Sequence, residues 1–230
     1  MSNHRAPRWW KQTIGLIGAE ISSEIRRAEM SITAGLLTLG AVLIFALGGV
    51  ERNPEVASAM IWTVVILVSV ASTQRLYHRE GEPGRIRLFL SGAESPVPLY
   101  LSKMFAVFAV ITGSGVLSTI CARLFFGFPL QNSPAAHFSG LIFASLGLSA
   151  LAALLGALTE KKSPDMFLAV LLMPLGFPII IAGSKISAGL YENNGVIPDN
   201  TWTVWLPLLV FVDIVFILAG LWLYEPLLRK

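Results

Sequence analysis

Six apolar runs, each about 18–21 residues long, constrain the fold of this chain more than any other feature. A helix rises about 1.5 Å per residue, so roughly 20 residues cross a bilayer core of about 30 Å. Because backbone groups in lipid must be satisfied within a helix or a closed barrel, and the runs show no two-residue alternation, we predict helices. The predicted spans are 31–50, 56–73, 104–122, 138–158, 166–183 and 204–224.

Composition supports an all-α polytopic membrane protein with six transmembrane helices. Only 13% of the 230 residues are charged, against about 25% in soluble domains. We predict one six-span membrane domain over residues 31–230, preceded by a cytoplasmic amphipathic helix over residues 1–30. The net charge of +3 is small, and most of the basic residues lie at span ends. Both features disfavour nucleic-acid binding, which needs a clustered basic face. The single cysteine, Cys121, excludes an intramolecular disulfide and a CxxCH haem attachment.

Lysine and arginine counts predict the orientation. Fourteen of the seventeen lie on the side of the N-terminus if the spans alternate, and three (Arg52, Arg123 and Lys185) lie on the other side. Cytoplasmic loops carry such an excess, so both termini are predicted to be cytoplasmic.

The N-terminal segment is predicted to form an amphipathic helix along the membrane surface. Its apolar residues recur every three or four positions, and Lys11, Glu20, Glu24 and Arg27 lie largely off that stripe. Two interpretations stay open: a simple anchor, or an elbow helix that helps to seat a partner. The apolar stripe consists of Trp10, Ile14, Ile17, Ile21 and Ile25.

Residues 74–103 form a charged segment, punctuated by glycine and proline, between the second and third spans. Charges of this kind cannot stay cheaply in hydrocarbon, so the segment is predicted to lie outside the lipid. Its length favours a docking surface for a partner protein. The alternative is a loop whose basic residues only reflect the positive-inside rule. Its basic residues are Arg75, Arg79, Arg85, Arg87 and Lys103, against Glu80, Glu82 and Glu94.

No catalytic or metal-binding constellation is evident. Residues 156–163 superficially resemble a phosphate-binding loop, but Lys161 stands where that motif needs its second glycine, so nucleotide binding is not predicted. The histidines are not spaced as metal ligands. His137, near the outer end of the fourth span, is expected to be solvated or interfacial, with a ligand contact as the less favoured alternative.

Asp213 lies near the middle of the last span, where a charge costs on the order of 3 kcal/mol or more. One interpretation is a packing or gating contact inside the bundle. The other is a protonated acid that bonds a neighbouring serine, threonine or backbone carbonyl.

Two further patterns concern helix shape and packing. Pro174 and Pro178 are one turn apart in the fifth span and predict a kink. Small residues at spacings of three and four in the fourth span predict close helix packing, within the subunit or between subunits. They are Ser145, Ser149, Ala153 and Gly156.

Three stretches together resemble the CcmB family, the permeases of the cytochrome c maturation haem-exporter ABC system. The first stretch lies within 74–103 and contains QRLY, the acidic pair Glu80 and Glu82, GRI and SPVPLYLSK. The second is residues 146–162, and the third is MPLGFPIII at 173–181. The chain departs from that pattern at Gln74, Pro83 and Arg87, which makes its cytoplasmic segment more basic. The resemblance covers nearly the whole chain in order and spacing.

The resemblance implies a non-catalytic permease of the bacterial inner membrane with no cofactor of its own. ATP would be hydrolysed by a partner ABC ATPase, and haem would be handled by a partner membrane protein, with release of a haem-loaded chaperone. Membrane lipid and a second copy of the chain are further expected partners. Two rival functions remain: an ABC exporter of a lipid or drug, and a membrane scaffold without transport.

The resemblance also assigns an ATPase-coupling interface within the cytoplasmic segment. Gly84 would permit a backbone conformation closed to other residues. The expected interface residues are Gln74, Arg75, Leu76, Tyr77, Glu80, Glu82, Gly84, Arg85 and Ile86.

Overall fold

The computed structural model describes residues 8–48, 54–78, 97–128, 134–159, 164–192 and 199–228. Within them the chain forms seven helices and no strand, which confirms the predicted all-α class. Six of the helices, α2 to α7, are long and apolar enough to cross a membrane. The helices are α1 (Arg8–Arg27), α2 (Glu29–Leu47), α3 (Pro54–His78), α4 (Val97–Phe126), α5 (Pro134–Thr159), α6 (Pro164–Glu192) and α7 (Asp199–Leu228).

The six spans occur in the predicted order, but several helices extend past the predicted ends. The predicted third span begins at residue 104, whereas α4 begins at Val97, and the predicted fifth span ends at residue 183, whereas α6 continues to Glu192. Hydropathy predicts where a helix leaves the lipid. The helix itself continues as long as its backbone hydrogen bonds form and its side chains pack. The segment 74–103 therefore shares its first five residues with α3 and its last seven with α4.

Alternation of the spans defines two sides of the bundle. On the α1 side, α2, α4 and α6 begin and α3, α5 and α7 end; the opposite side holds their other ends. Helix α5 is central and packs against α3, α4, α6 and α7. Its small residues Ser145, Ser149 and Ala153 are fully buried, so the small-residue ridge serves packing within the subunit.

Two aromatic side chains fit against glycines of neighbouring helices. Trp62 of α3 lies against Gly183 of α6, and Tyr100 of α4 lies against Gly220 of α7. A Cβ atom at either glycine would overlap the aromatic ring, so each glycine permits a helix separation that no larger residue would allow.

Helix α1 confirms the predicted N-terminal helix and packs against α4. Its isoleucines Ile14 and Ile21 are exposed, whereas Glu24 is buried. The Glu24 carboxylate accepts hydrogen bonds from the backbone N–H and the hydroxyl of Ser31 at 2.8 and 3.0 Å. This carboxylate caps the start of α2, because Ala28 at the joint adopts a left-handed conformation (φ 53°) and offers no side-chain cap.

Candidate functional site

The expected ATPase-coupling interface is described at its first residues only. In α3, Arg75 is exposed, Gln74 is half-buried, and Leu76 is 2% exposed within the main core. Arg75 is therefore the side chain of these three that a docked protein reaches most readily. Tyr77 lies in the last turn of α3. The expected residues Glu80, Glu82, Gly84, Arg85 and Ile86 lie outside the described residues.

The first turn of α4, near the end of the charged segment 74–103, is fixed to two other helices through Tyr100. The Tyr100 hydroxyl donates a hydrogen bond to the backbone carbonyl of Ala150 in α5 at 3.2 Å. Its ring lies 5.2 Å from the ring of Tyr224 in α7, centroid to centroid, and against Gly220. Tyr100 therefore joins α4, α5 and α7 on the α1 side of the bundle, a role that its place in the SPVPLYLSK stretch did not reveal.

Lys103 corrects the prediction that it belongs to the exposed basic loop. It is 0% exposed and lies in the second turn of α4. The error arose because the helix begins seven residues earlier than hydropathy indicates, so Lys103 lies among packed helices. Its long aliphatic stem is suited to such a position.

Asp213 is buried at the middle of the bundle, 3% exposed. It lies against Gly147 of α5, where a Cβ atom would overlap its Oδ1 atom and would lie 2.9 Å from Cδ1 of Ile179 in α6. Neither carboxylate oxygen has a hydrogen-bond partner among the described residues, contrary to the hydrogen-bonded alternative. The expected contact inside the bundle is present, and a gating role stays a prediction.

Pro174 and Pro178 lie inside α6, which continues as one helix from Pro164 to Glu192. Both side chains are exposed, and the kink stays a prediction. Helix α7 carries two further internal prolines, Pro207 and Pro226.

His137 corrects the expectation of a solvated or interfacial histidine, because it is 1% exposed and bonded through both ring nitrogens. Its Nε2 atom lies 2.9 Å from the Thr119 hydroxyl, and its Nδ1 atom lies 3.3 Å from the Ser187 hydroxyl. Ser187 also accepts a hydrogen bond from Nε1 of Trp62 at 2.9 Å. This His137 network joins α3, α4, α5 and α6 on the side opposite α1.

Donors and acceptors in the His137 network follow a single direction. Thr119 donates to the carbonyl of Gly115 at 2.7 Å, so its oxygen accepts from the Nε2–H of His137. Nδ1 of His137 is then the acceptor for the Ser187 hydroxyl, whose oxygen already accepts from Trp62. With a neutral imidazole every donor is used, and neither ring nitrogen is left for a ligand.

Sequence reasoning missed the His137 network because its members are far apart in the chain. Trp62 and Ser187 are separated by 125 residues. The available signal was the number of residues between each network member and the nearer end of its helix. These short separations place all four members in the same half of the bundle.

The described residues provide packing and polar contacts between helices. Among them, no group of three or more His, Cys, Asp or Glu side chains could hold a metal ion. The candidate site consists of the end of α3 and the start of α4, which lie within the charged segment 74–103. The contacts of Tyr100 with α5 and α7, here called the Tyr100 junction, lie behind them.

Comparison with known proteins agrees with this description. The family model of the CcmB protein matches residues 12–220. Heme exporter protein B of Pseudomonas aeruginosa is 28% identical over 174 residues, which cover 71% of this chain and 75% of that protein. No solved structure matches the chain. Since the family model covers nearly the whole six-span bundle, this chain belongs to the CcmB family of multi-pass membrane permeases.

Proposed function

We propose that this chain is the permease component of an ABC transporter that acts in cytochrome c maturation. The match of the CcmB family model to residues 12–220 carries the proposal. The name of the Pseudomonas aeruginosa relative, heme exporter protein B, supports haem as the species that the complex handles. The protein would lie in the bacterial inner membrane with both termini in the cytoplasm.

In this proposal the chain works with partners and performs no chemistry of its own. A separate ABC ATPase binds at the α1 side and hydrolyses ATP. A second membrane protein holds the haem, and the cycle ends with release of a haem-loaded chaperone. Docking at the cytoplasmic segment is supported by its basic excess and by the exposed Arg75 at the end of α3.

The Tyr100 junction supports a route for motion from the docked ATPase. A displacement of the cytoplasmic segment acts on the first turn of α4, which is bonded to α5 and packed against α7. Packed interiors resist compression, so the displacement passes to these helices as a shift of their axes. Asp213 lies two turns from Gly220 on α7, within reach of such a shift.

Native co-purification tests the proposal. The full chain, tagged at its C-terminus, is extracted in mild detergent and its bound proteins are identified by mass spectrometry. An ABC ATPase together with a haem-containing membrane protein is the expected result. An ATPase without the haem protein would indicate an exporter of another substrate, and the absence of any ATPase would indicate a scaffold.

Charge reversal tests the docking surface. Arg75→Glu and Arg85→Glu are expected to reduce the amount of co-purified ATPase at least tenfold. Arg123→Glu is the matched control, because Arg123 is exposed at the end of α4 on the opposite side. Equal recovery of the ATPase with all three variants would refute docking at this segment.

Two substitutions separate docking from transmission. Tyr100→Phe keeps the aromatic ring and removes the hydrogen bond to Ala150, so ATPase recovery should be unchanged while c-type cytochrome yield falls. Asp213→Leu is expected to lower that yield if the carboxylate takes part in gating. Normal cytochrome yield in either variant, with normal protein levels, would remove that residue from the route.

A further inference from the structure

A cavity of about 360 Å3 lies where α1, α2 and α4 meet, and it is open along one side. The α4 residues that line it run from Ala106 to Leu117, which corresponds to about 16 Å along the helix axis. A Cβ atom built at Gly35 on the α2 wall or at Gly113 on the α4 wall would meet no heavy atom within 4 Å. The space is an elongated groove, and we refer to it as the α1–α2–α4 groove.

Two walls of the α1–α2–α4 groove belong to α2 and α4, which are long and apolar enough to cross a membrane, so we expect hydrocarbon beside its open side. Its lining changes character along its length. Glu24 and Ser31, bonded to each other, form a polar end at the joint between α1 and α2. Toward Leu117 the lining is mostly apolar, with Ser114 as its one polar side chain. This order matches that of an amphiphile whose headgroup lies at the joint.

The size of the groove selects among occupants. A helix with a diameter of about 10–12 Å and a pitch of 5.4 Å needs roughly 400–600 Å3 for each turn. The α4 wall is three turns long, so the groove cannot enclose a partner helix lying along it, and such a helix would insert only its side chains. A single hydrocarbon chain is one carbon wide and fits an elongated space of this volume. An apolar cavity of even about 150 Å3 takes up a small hydrocarbon when one is present.

We propose that the α1–α2–α4 groove is a binding site for one acyl chain of a bilayer phospholipid. The chain lies along α4 between Ala106 and Leu117, and the headgroup lies at the α1–α2 joint beside Ser31. The lipid fills the space between the N-terminal helix and the first and third spans, and so completes their packing.

Two glycines on α2 give a matched test. Gly35 lines the groove and Gly40 does not, and a Cβ atom at either would be in open space. Gly35→Leu fills the groove, whereas Gly40→Leu makes the same change outside it. The full chain is purified in mild detergent from membranes, and native mass spectrometry counts the phospholipids that remain bound.

The wild type and Gly40→Leu are expected to retain one more phospholipid per chain than Gly35→Leu. Gly113→Leu, which fills the groove from the α4 wall, should lose the same lipid. Equal lipid counts in Gly35→Leu and Gly40→Leu would overturn the proposal. So would a cross-link from a photoreactive residue at position 113 to a second copy or to another protein.

A second measurement needs no variant. The wild-type protein is stripped of lipid by a harsher detergent, and a phosphatidylethanolamine with two long acyl chains is then added back. The thermal midpoint is expected to rise and saturate at one lipid per chain, and a lysolipid with a two-carbon chain should not reproduce the rise. An unsaturable rise, or none, would overturn the proposal of a defined lipid site.

Discussion

Each ring nitrogen of His137 bonds a side chain of a different helix, so the loss of one bond leaves a buried polar group without a partner. Thr119→Val removes the acceptor for Nε2–H and is expected to lower the free energy of unfolding by about 1–3 kcal/mol. The measurement is a denaturant titration in mixed micelles.

Thr63→Val is the matched control for Thr119→Val. Thr63 is exposed and its hydroxyl bonds only the carbonyl of Ala59 in its own helix, so its loss should change stability by less than about 0.5 kcal/mol. Equal effects of the two substitutions would show that the His137 network adds nothing beyond local helix packing.

Asp213 and Gly147 are expected to behave as a coupled pair. Gly147→Ala places a methyl group on Oδ1 of Asp213 and should cost about 1–3 kcal/mol of stability, as overpacking does. Asp213→Ala makes room, so the double variant should lose less than the sum of the single losses. Gly18→Ala, where the added Cβ meets no atom within 4 Å, is the control. Strictly additive losses would contradict the contact.

The sequence indicated some of these residues and not others. Asp213 was evident, because an ionisable residue inside an apolar run is conspicuous in any membrane protein. His137 was noticed but given the wrong environment, because its burial depends on Thr119 and Ser187 in two other helices. Lys103 was misplaced for a related reason: a charge next to a polar segment looks solvated until the helix start is known.

The close packing of two helix pairs depends on single glycines as well as on apolar side chains. In α6, Gly183 faces the indole ring of Trp62 in α3, and Gly183→Ala would force the two helices apart. We expect a loss of about 1–3 kcal/mol and a changed tryptophan fluorescence spectrum, since the Nε1 bond to Ser187 would lengthen.

Gly40→Ala provides the comparison for Gly183→Ala. It lies on α2 with no heavy atom within 4 Å of an added Cβ, so its stability should stay equal or rise slightly with the better helix propensity of alanine. If Gly183→Ala behaved in the same way, the close approach of α3 and α6 would have to be relaxed in the membrane.

Helix number and order were predictable, because twenty apolar residues in a row leave few alternatives. Helix ends were not. The start of α4 at Val97 and the end of α6 at Glu192 lie next to polar sequence, where packing rather than hydropathy determines whether the helix continues. Helix α1 was predicted from its periodicity, but the burial of Glu24 reflects its cap on α2, which periodicity does not encode.

At the scale of the whole molecule, the predicted orientation has a direct test. In a Cys121→Ala background, Asn132→Cys and Ser163→Cys place single thiols in connections on opposite sides of the bundle. The excess of basic residues predicts that a membrane-impermeant maleimide labels Asn132→Cys in intact spheroplasts. Ser163→Cys should react only after the membrane is permeabilised. The reverse pattern would invert the protein and place the docking segment outside the cell.

The whole-molecule fold was more predictable than the candidate site. The number and order of the spans follow from the thickness of the bilayer, because every span needs enough consecutive apolar residues to cross it. The Tyr100 junction and the His137 network instead depend on which helices become neighbours, and a single sequence does not reveal that pairing.

The His137 network also fixes one end of α6. It ties α6 to its neighbours at Ser187, and the other end of α6, at Pro164, lies 23 residues or about 35 Å away. If α6 moved as one straight helix, a tilt of about 5° around the network would move that distant end by about 3 Å on this helix geometry. A small rotation of α6 at its Ser187 end would therefore displace its Pro164 end by about an atomic diameter. That end lies on the α1 side, where a partner would exert its force.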